Sequence, residues 1–119
     1  MKVNALNEAT TLFVYGSLLD PLRRHEIIGR QVATFPAVLN DHEVSRARYF
    51  YVRKHPGVST QGLLLAQLNS QDFDALDLYE DVPRLYTREK VEVVAQHGAS
   101  IRCWVYLPTP LVMVATDPT

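Results

Sequence analysis

A single cysteine in 119 residues excludes an internal disulfide and the paired-cysteine motifs on which structural zinc sites depend. No stretch approaches the roughly 20 apolar residues of a membrane-spanning helix. The opening "MKVNALNEAT" is mixed in character and lacks the apolar run of a signal peptide, so a cytoplasmic protein without membrane partners is expected. Charge of one sign is also lacking: 12 Lys and Arg against 13 Asp and Glu leave a formal net charge of -1, and no broad field calls for nucleic acid. The local clusters Arg23-Arg24-His25 and Arg46, Arg48, Arg53 read as solvated faces. His25, His42, His55 and His97 are too scattered for a metal motif, and no glycine-rich phosphate or dinucleotide loop is present. Neither a metal nor a cofactor is expected.

What is present is apolar residue, at 47% of the chain, enough for one compact domain that holds without metals or disulfides. We expect a single domain over residues 1–119, with a core at about 11–107 and a Pro-rich tail at 108–119. "LFVYGS" reads as a short strand ending at Gly16-Ser17, and Pro21 suits the first turn of a helix through Leu22, His25 and Ile28. "FPAVLNDHEVSRARYFYVR" reads as one or two strands, "HPGVSTQ" as the next turn and "GLLLAQL" as a buried strand.

Ser70 is a candidate cap for the helix that follows, and Pro83 stands where it stops. "YTREKVEVVA" then alternates as a strand, Gln96 to Ala99 turn, and "SIRCWVYL" places Ile101, Cys103, Val105 and Leu107 opposite Arg102, Trp104 and Tyr106. Cys103 is therefore expected as a core thiol. The tail "PTPLVMVATDPT" has no clear period and either packs over a neighbour or frays. The fold expected is α+β, a small mixed barrel flanked by two short helices.

Within "DALDLYEDVPRLYTR" one carboxylate is misplaced. Phe73, Leu76 and Glu80 recur at the spacing of one helical face, and at roughly 100° per residue Glu80 projects within about 40° of both apolar neighbours, while Asp74, Asp77 and Asp81 lie elsewhere. A glutamate that loses water there has its pKa raised into the range where one carboxyl both takes and gives a proton near neutrality. The ordinary alternatives are an ion pair with Arg84 or Arg88, or a frayed last turn.

The Tyr15-Gly16-Ser17 turn leaves backbone N–H groups unpaired above a strand end, which suits a carboxylate or a developing oxyanion, although many such glycines only permit a bend. Tyr86 and Arg88 share a strand face near Glu80, and Arg88 has the fork for a bidentate carboxylate contact or for pairing Asp81 or Glu80. Tyr106 and Trp104 are candidates for the same cavity, with sheet packing the simpler role for Trp104. Ser17 has no histidine partner in sequence, which weakens a serine-hydrolase reading.

The order "FVYGSLL", "QGLLLAQL", "LDLYEDVPRLYTREKVEV", "CWVYL" resembles the gamma-glutamylcyclotransferase-like family, in particular its short branch with gamma-glutamylamine cyclotransferases and plant avirulence-induced homologues. The likeness spans roughly residues 11–107. It implies a small β-barrel with flanking helices, a substrate-binding loop at Tyr15, Gly16, Ser17 and Leu18, and a catalytic glutamate in the Leu-Asp-x-x-Glu segment, matched here by Leu76, Asp77 and Glu80. Tyr86, Arg88 and Tyr106 complete the expected substrate contacts. Many relatives have Gly directly after the glutamate and Tyr-Pro before the central turn, where this chain has Asp81 and His55-Pro56. Asp81 is expected to raise the Glu80 pKa further and His55 to reshape the cavity rim.

The implied reaction is cyclisation of a small gamma-glutamyl substrate to 5-oxoproline with release of an amine, without a cofactor. Two other readings stand beside it: a non-catalytic barrel for a small carboxylate- or amine-bearing ligand, and a subunit of a larger assembly engaged through the apolar tail. The oligomeric state is not legible in the sequence.

Overall fold

In the computed structural model, residues 6–46 and 49–116 are described, with side chains through Met113. Arg48 and the termini lie outside the described residues. Five strands close into a barrel in the order β1-β3-β2-β4-β5: β1 (Leu12–Val14), β2 (Thr34–Arg46), β3 (Phe50–Leu65), β4 (Tyr86–Ala95) and β5 (Ser100–Pro108). Neighbours run antiparallel except β1 and β5, where Leu12 pairs with Trp104 and Phe13 with Val105 in parallel. On its other edge β1 pairs antiparallel with Leu63 to Leu65 of β3. Three residues thus form the seam.

Period-two alternation sorts the side chains. Phe13, Leu39, Val52, Leu64, Val93, Cys103 and Val105 fill the barrel interior, while Leu12, Val14, Leu65, Tyr86 and Tyr106 pack outward under the helices. Cys103 is fully buried, as its alternation requires, and burial pushes its thiol up to about 12.

Three helices flank the barrel: α1 (Pro21–Ile28), α2 (Ser70–Tyr79) and α3 (Pro110–Thr116). Pro21 occupies the first turn of α1, and the Asp20 side chain accepts the Leu22 N–H at 3.0 Å. In α2 the cap is Asn69 rather than Ser70: Asn69 Oδ1 accepts the Asp72 N–H and Asp72 Oδ2 accepts the Asn69 N–H, a reciprocal capping box. Asp72 is buried and paired with Arg30 at 2.6 Å, which holds its carboxyl below the usual range. Phe73 and Leu76 face inward, as their spacing requires.

Two segments depart from the sequence expectation. "HPGVSTQ" is not a turn but part of β3, where the register slips between Asn40 and His42. Asp41 adopts a positive φ of 59° and its side chain accepts the Gly57 N–H, so the extra residues bulge while the strand continues. The tail forms α3 in place of aperiodic chain, and Val112 is buried against the outer core. Two helices were expected; the third comes from this tail. Among the described residues no helix is long and apolar enough to cross a membrane.

Candidate active site

The strand end of β1, the start of β3, the end of α2 and two tyrosines from β4 and β5 enclose a cavity of about 330 Å³, within the size range of small-molecule sites. Tyr15, Gly16, Ser17, Leu18, Glu80, Tyr86 and Tyr106 all line it. After Tyr15 the chain turns through a short 3₁₀ segment, Ser17–Leu19. Leu19 and Asp20 donate their N–H groups to the Gly16 and Ser17 carbonyls, whereas Ser17 and Leu18, as first residues of that turn, have no intrahelical acceptor. Glycine is needed at 16 because a Cβ there would lie 2.8 Å from the Phe50 Cβ.

Glu80 is the residue that closes α2. Its N–H donates to the Leu76 carbonyl at 2.9 Å, and the Val82 N–H reaches back to the Asp77 carbonyl at 3.0 Å. Asp81 between them takes the left-handed conformation, φ 58°, the arrangement of a Schellman cap. That cap stops the helix with the Glu80 side chain over the cavity. Burial raises its pKa from 4.5 to about 7.

Three phenols around it are committed elsewhere. Tyr15 donates to the Tyr106 carbonyl at 2.7 Å, Tyr86 to the Phe50 carbonyl at 2.6 Å, and Tyr106 to Asp77 Oδ1 at 2.7 Å. Burial, with Glu80 adding for each, raises all three phenols above their ordinary range. They stay protonated as fixed walls, and Glu80 is the lining group poised to exchange a proton near neutral pH.

A family profile described as "Gamma-glutamyl cyclotransferase, AIG2-like" matches residues 12–117. The chain belongs to this family. A Methanocaldococcus jannaschii protein, named for gamma-glutamylcyclotransferase and second as a candidate RNase, is 27% identical over 104 residues, covering 85% of this chain and 47% of that protein. The chain therefore spans about half the length of that curated relative. A solved gamma-glutamyl cyclotransferase superposes with a TM-score of 0.74 at 25% identity, over 84% of this chain and 66% of that one. An Arabidopsis thaliana protein solved in solution shares the fold at a TM-score of 0.78 and 20% identity, over 92% and 75% of the two chains.

Against the family pattern, three expectations need correction. Arg88 does not line the cavity. It shares a strand face with Tyr86, but Asp77 captures its guanidinium through bonds of 2.9 and 3.1 Å, and it lies in the corner of the edge-to-face Phe73 and Trp104 rings, 4.4 and 4.5 Å from their centres. Trp104 accordingly packs on the sheet. Since Asp77 also accepts the Tyr106 hydroxyl, Arg88 supports a wall of the site from behind.

His55 does not reach the rim. It binds Glu43 at 2.9 Å on the β2–β3 arm and holds that carboxyl below its ordinary range. Asp81 does not load Glu80 with charge, because its side chain turns to Arg84 Nε at 2.7 Å and burial is what raises Glu80. The glycine that many family members carry at this place has a backbone reason: the cap demands φ > 0, which Asp81 supplies here.

Tyr49, Phe50, Tyr79 and Leu85 also line the cavity and were not singled out in the sequence. Tyr79 directly precedes Glu80, and that adjacency was the available signal. Tyr49 and Phe50 arrive through the β2–β3 pairing, which no local pattern announces.

Proposed function

We propose that this chain is a gamma-glutamylcyclotransferase, an acyl-transferring enzyme acting by intramolecular aminolysis on a small gamma-glutamyl compound. The observation that carries this reading is Glu80: a carboxylate lining a tyrosine-walled cavity, its pKa raised by burial to about 7. Its carboxylate takes a proton from the substrate's alpha-ammonium. The freed nitrogen attacks the gamma-carbonyl carbon, forming the ring C–N bond. The tetrahedral oxyanion is met by N–H groups of the Gly16 to Leu18 turn. Glu80 then returns the proton to the departing nitrogen as the old amide C–N bond breaks, and takes the second proton that the ring nitrogen sheds, which passes to the released amine. Products are 5-oxoproline and the free amine, and atoms balance without a co-reactant. Tyr15, Tyr86 and Tyr106 hold the substrate folded in the cyclising geometry, an entropic contribution that removes several kcal/mol from the barrier.

The test is 5-oxoproline release from a panel of gamma-glutamyl dipeptides and gamma-glutamylamines, comparing wild type with Glu80→Gln. Release by the wild type and a loss of roughly 10²-fold or more in the variant is expected, since the amide keeps the shape but cannot carry the proton. An undiminished variant refutes the mechanism. Thermal stabilisation by these compounds without product identifies a binding barrel instead.

A further inference from the structure

Among the described residues, the cavity lining carries one negative group, Glu80, and its open edge carries one cation seen in polar contact with a lining side chain. Arg23, on α1, donates from Nη1 to the Tyr79 hydroxyl oxygen at 3.0 Å and lies 5.8 Å from the centre of that ring. Tyr79 lines the cavity yet is 36% exposed, so it marks the boundary with solvent. Its oxygen is also 2.8 Å from Ser17 Oγ. The Tyr79 oxygen thus ties the guanidinium to the Ser17 turn.

Arg23 is otherwise lightly engaged. Its ion pair with Glu26 is 3.8 Å long between side chains 46% and 72% exposed, a contact of little weight. A guanidinium has five N–H donors in a planar fork, so most of them remain for a ligand. The neighbouring cations are spoken for: Arg24 by the Leu18 and Leu19 carbonyls, Arg84 by Asp81, Arg88 by Asp77. Arg46 lies over the Phe50 ring at 5.5 Å.

Tyr79 and Glu80 are consecutive, their Cα atoms about 3.8 Å apart. Both residues line the same cavity, so a substituent that extends from a nitrogen protonated by Glu80 to the open edge comes within reach of the Arg23–Tyr79 pair. Resting on the cyclotransferase reading above, we infer that Arg23 selects substrates whose departing amine bears a carboxylate, that is, an amino acid or short peptide, over neutral or cationic amines. The fork matches a carboxylate and repels an ammonium.

The experiment compares gamma-glutamyl-alanine with gamma-glutamyl-alaninamide on the full chain, using wild type, Arg23→Gln, Arg23→Lys and Arg46→Gln. Glutamine removes the charge and shortens the side chain, while Arg23→Lys keeps a charge without the planar fork. Wild type is expected to favour the acid by roughly tenfold in kcat/KM, carried by KM, as one exposed charge-assisted contact provides. Arg23→Gln should erase the preference, Arg23→Lys restore part of it, and Arg46→Gln leave it intact. Preference surviving Arg23→Gln, or lost in Arg46→Gln, overturns the assignment. Binding of both compounds to Glu80→Gln protein by calorimetry separates the two readings. If wild type turns over neither these compounds nor any of the panel above, the cyclotransferase reading falls, while tighter, Arg23-dependent binding of the acid still sustains anion recognition. Equal binding of the two, or none, overturns it.

Discussion

Glu80→Gln should stabilise the protein, and the gain should appear only as pH rises. An acid whose folded pKa is raised behaves opposite to a salt-bridged carboxylate. Below about 4.5 the side chain is protonated in both folded and unfolded chains and costs nothing. Between 4.5 and about 7 the unfolded chain releases the proton while the native chain keeps it, so stability is lost progressively. Above about 7 the native state carries the full cost of a desolvated charge. That interval, at about 1.4 kcal/mol for each pH unit, amounts to about 3 kcal/mol. For a chain of 119 residues this corresponds to about 10 °C in Tm. The assay is urea or thermal unfolding of both proteins at half-unit steps from pH 4 to 8.5, reading the difference between them. Taking the difference cancels groups such as Asp72, whose lowered pKa gives stability that is lost as pH falls. A difference that stays flat across the range would refute the reasoning, because Glu80 would then titrate alike in both states. A wild type that gains on the variant with rising pH would mean that its carboxylate has found a cation.

Two further perturbations probe the frame of the site. Arg88→Met leaves Asp77 without its bidentate partner behind Tyr106 and should cost about 1–3 kcal/mol in urea unfolding, with Arg88→Lys recovering under half for want of the planar fork; an Arg88→Met protein as stable as wild type removes the supporting role. Gly62→Ala places a Cβ 2.2 Å from the Val14 carbonyl oxygen. Because that contact is backbone in the seam, it should cost about 3 kcal/mol or more by the same measurement, and a loss below about 1 kcal/mol would show that the seam yields.

The parts of this architecture legible in the sequence were those governed by local periodicity. β5 declares itself by strict alternation around Cys103, and α2 by Phe73 and Leu76. Glu80 was visible as a polar break in that apolar face, though the face pattern placed it inside the helix rather than on its cap. What closed the helix, a left-handed Asp81 and a Val82 N–H returning to Asp77, leaves no hydropathy signal. Arg88 was misjudged because strand alternation gives the face of a side chain and not its reach. Its long stem carries the guanidinium past the cavity to Asp77, a competition decided by tertiary geometry. The "HPGV" segment has turn chemistry and uses it for a bulge, since a strand paired on both sides of the irregularity gains more by continuing than by reversing.

The seam strand β1 has a consequence for how the protein is made. Its three residues are held by residues 63–65 on one side and by Trp104 and Val105 on the other, and Tyr15-Gly16-Ser17 follows immediately. That turn is therefore anchored by a contact spanning some ninety residues of chain, the kind of long closure that forms late because its entropy must be spent before it is rewarded. On a ribosome, the loop emerges early and waits: until β5 has left the exit tunnel, the first strand has a bare edge and Glu80 has no finished wall to face. Assembly of the cavity and locking of the barrel are one event, so a partly synthesised or partly unfolded chain has no half-built cavity.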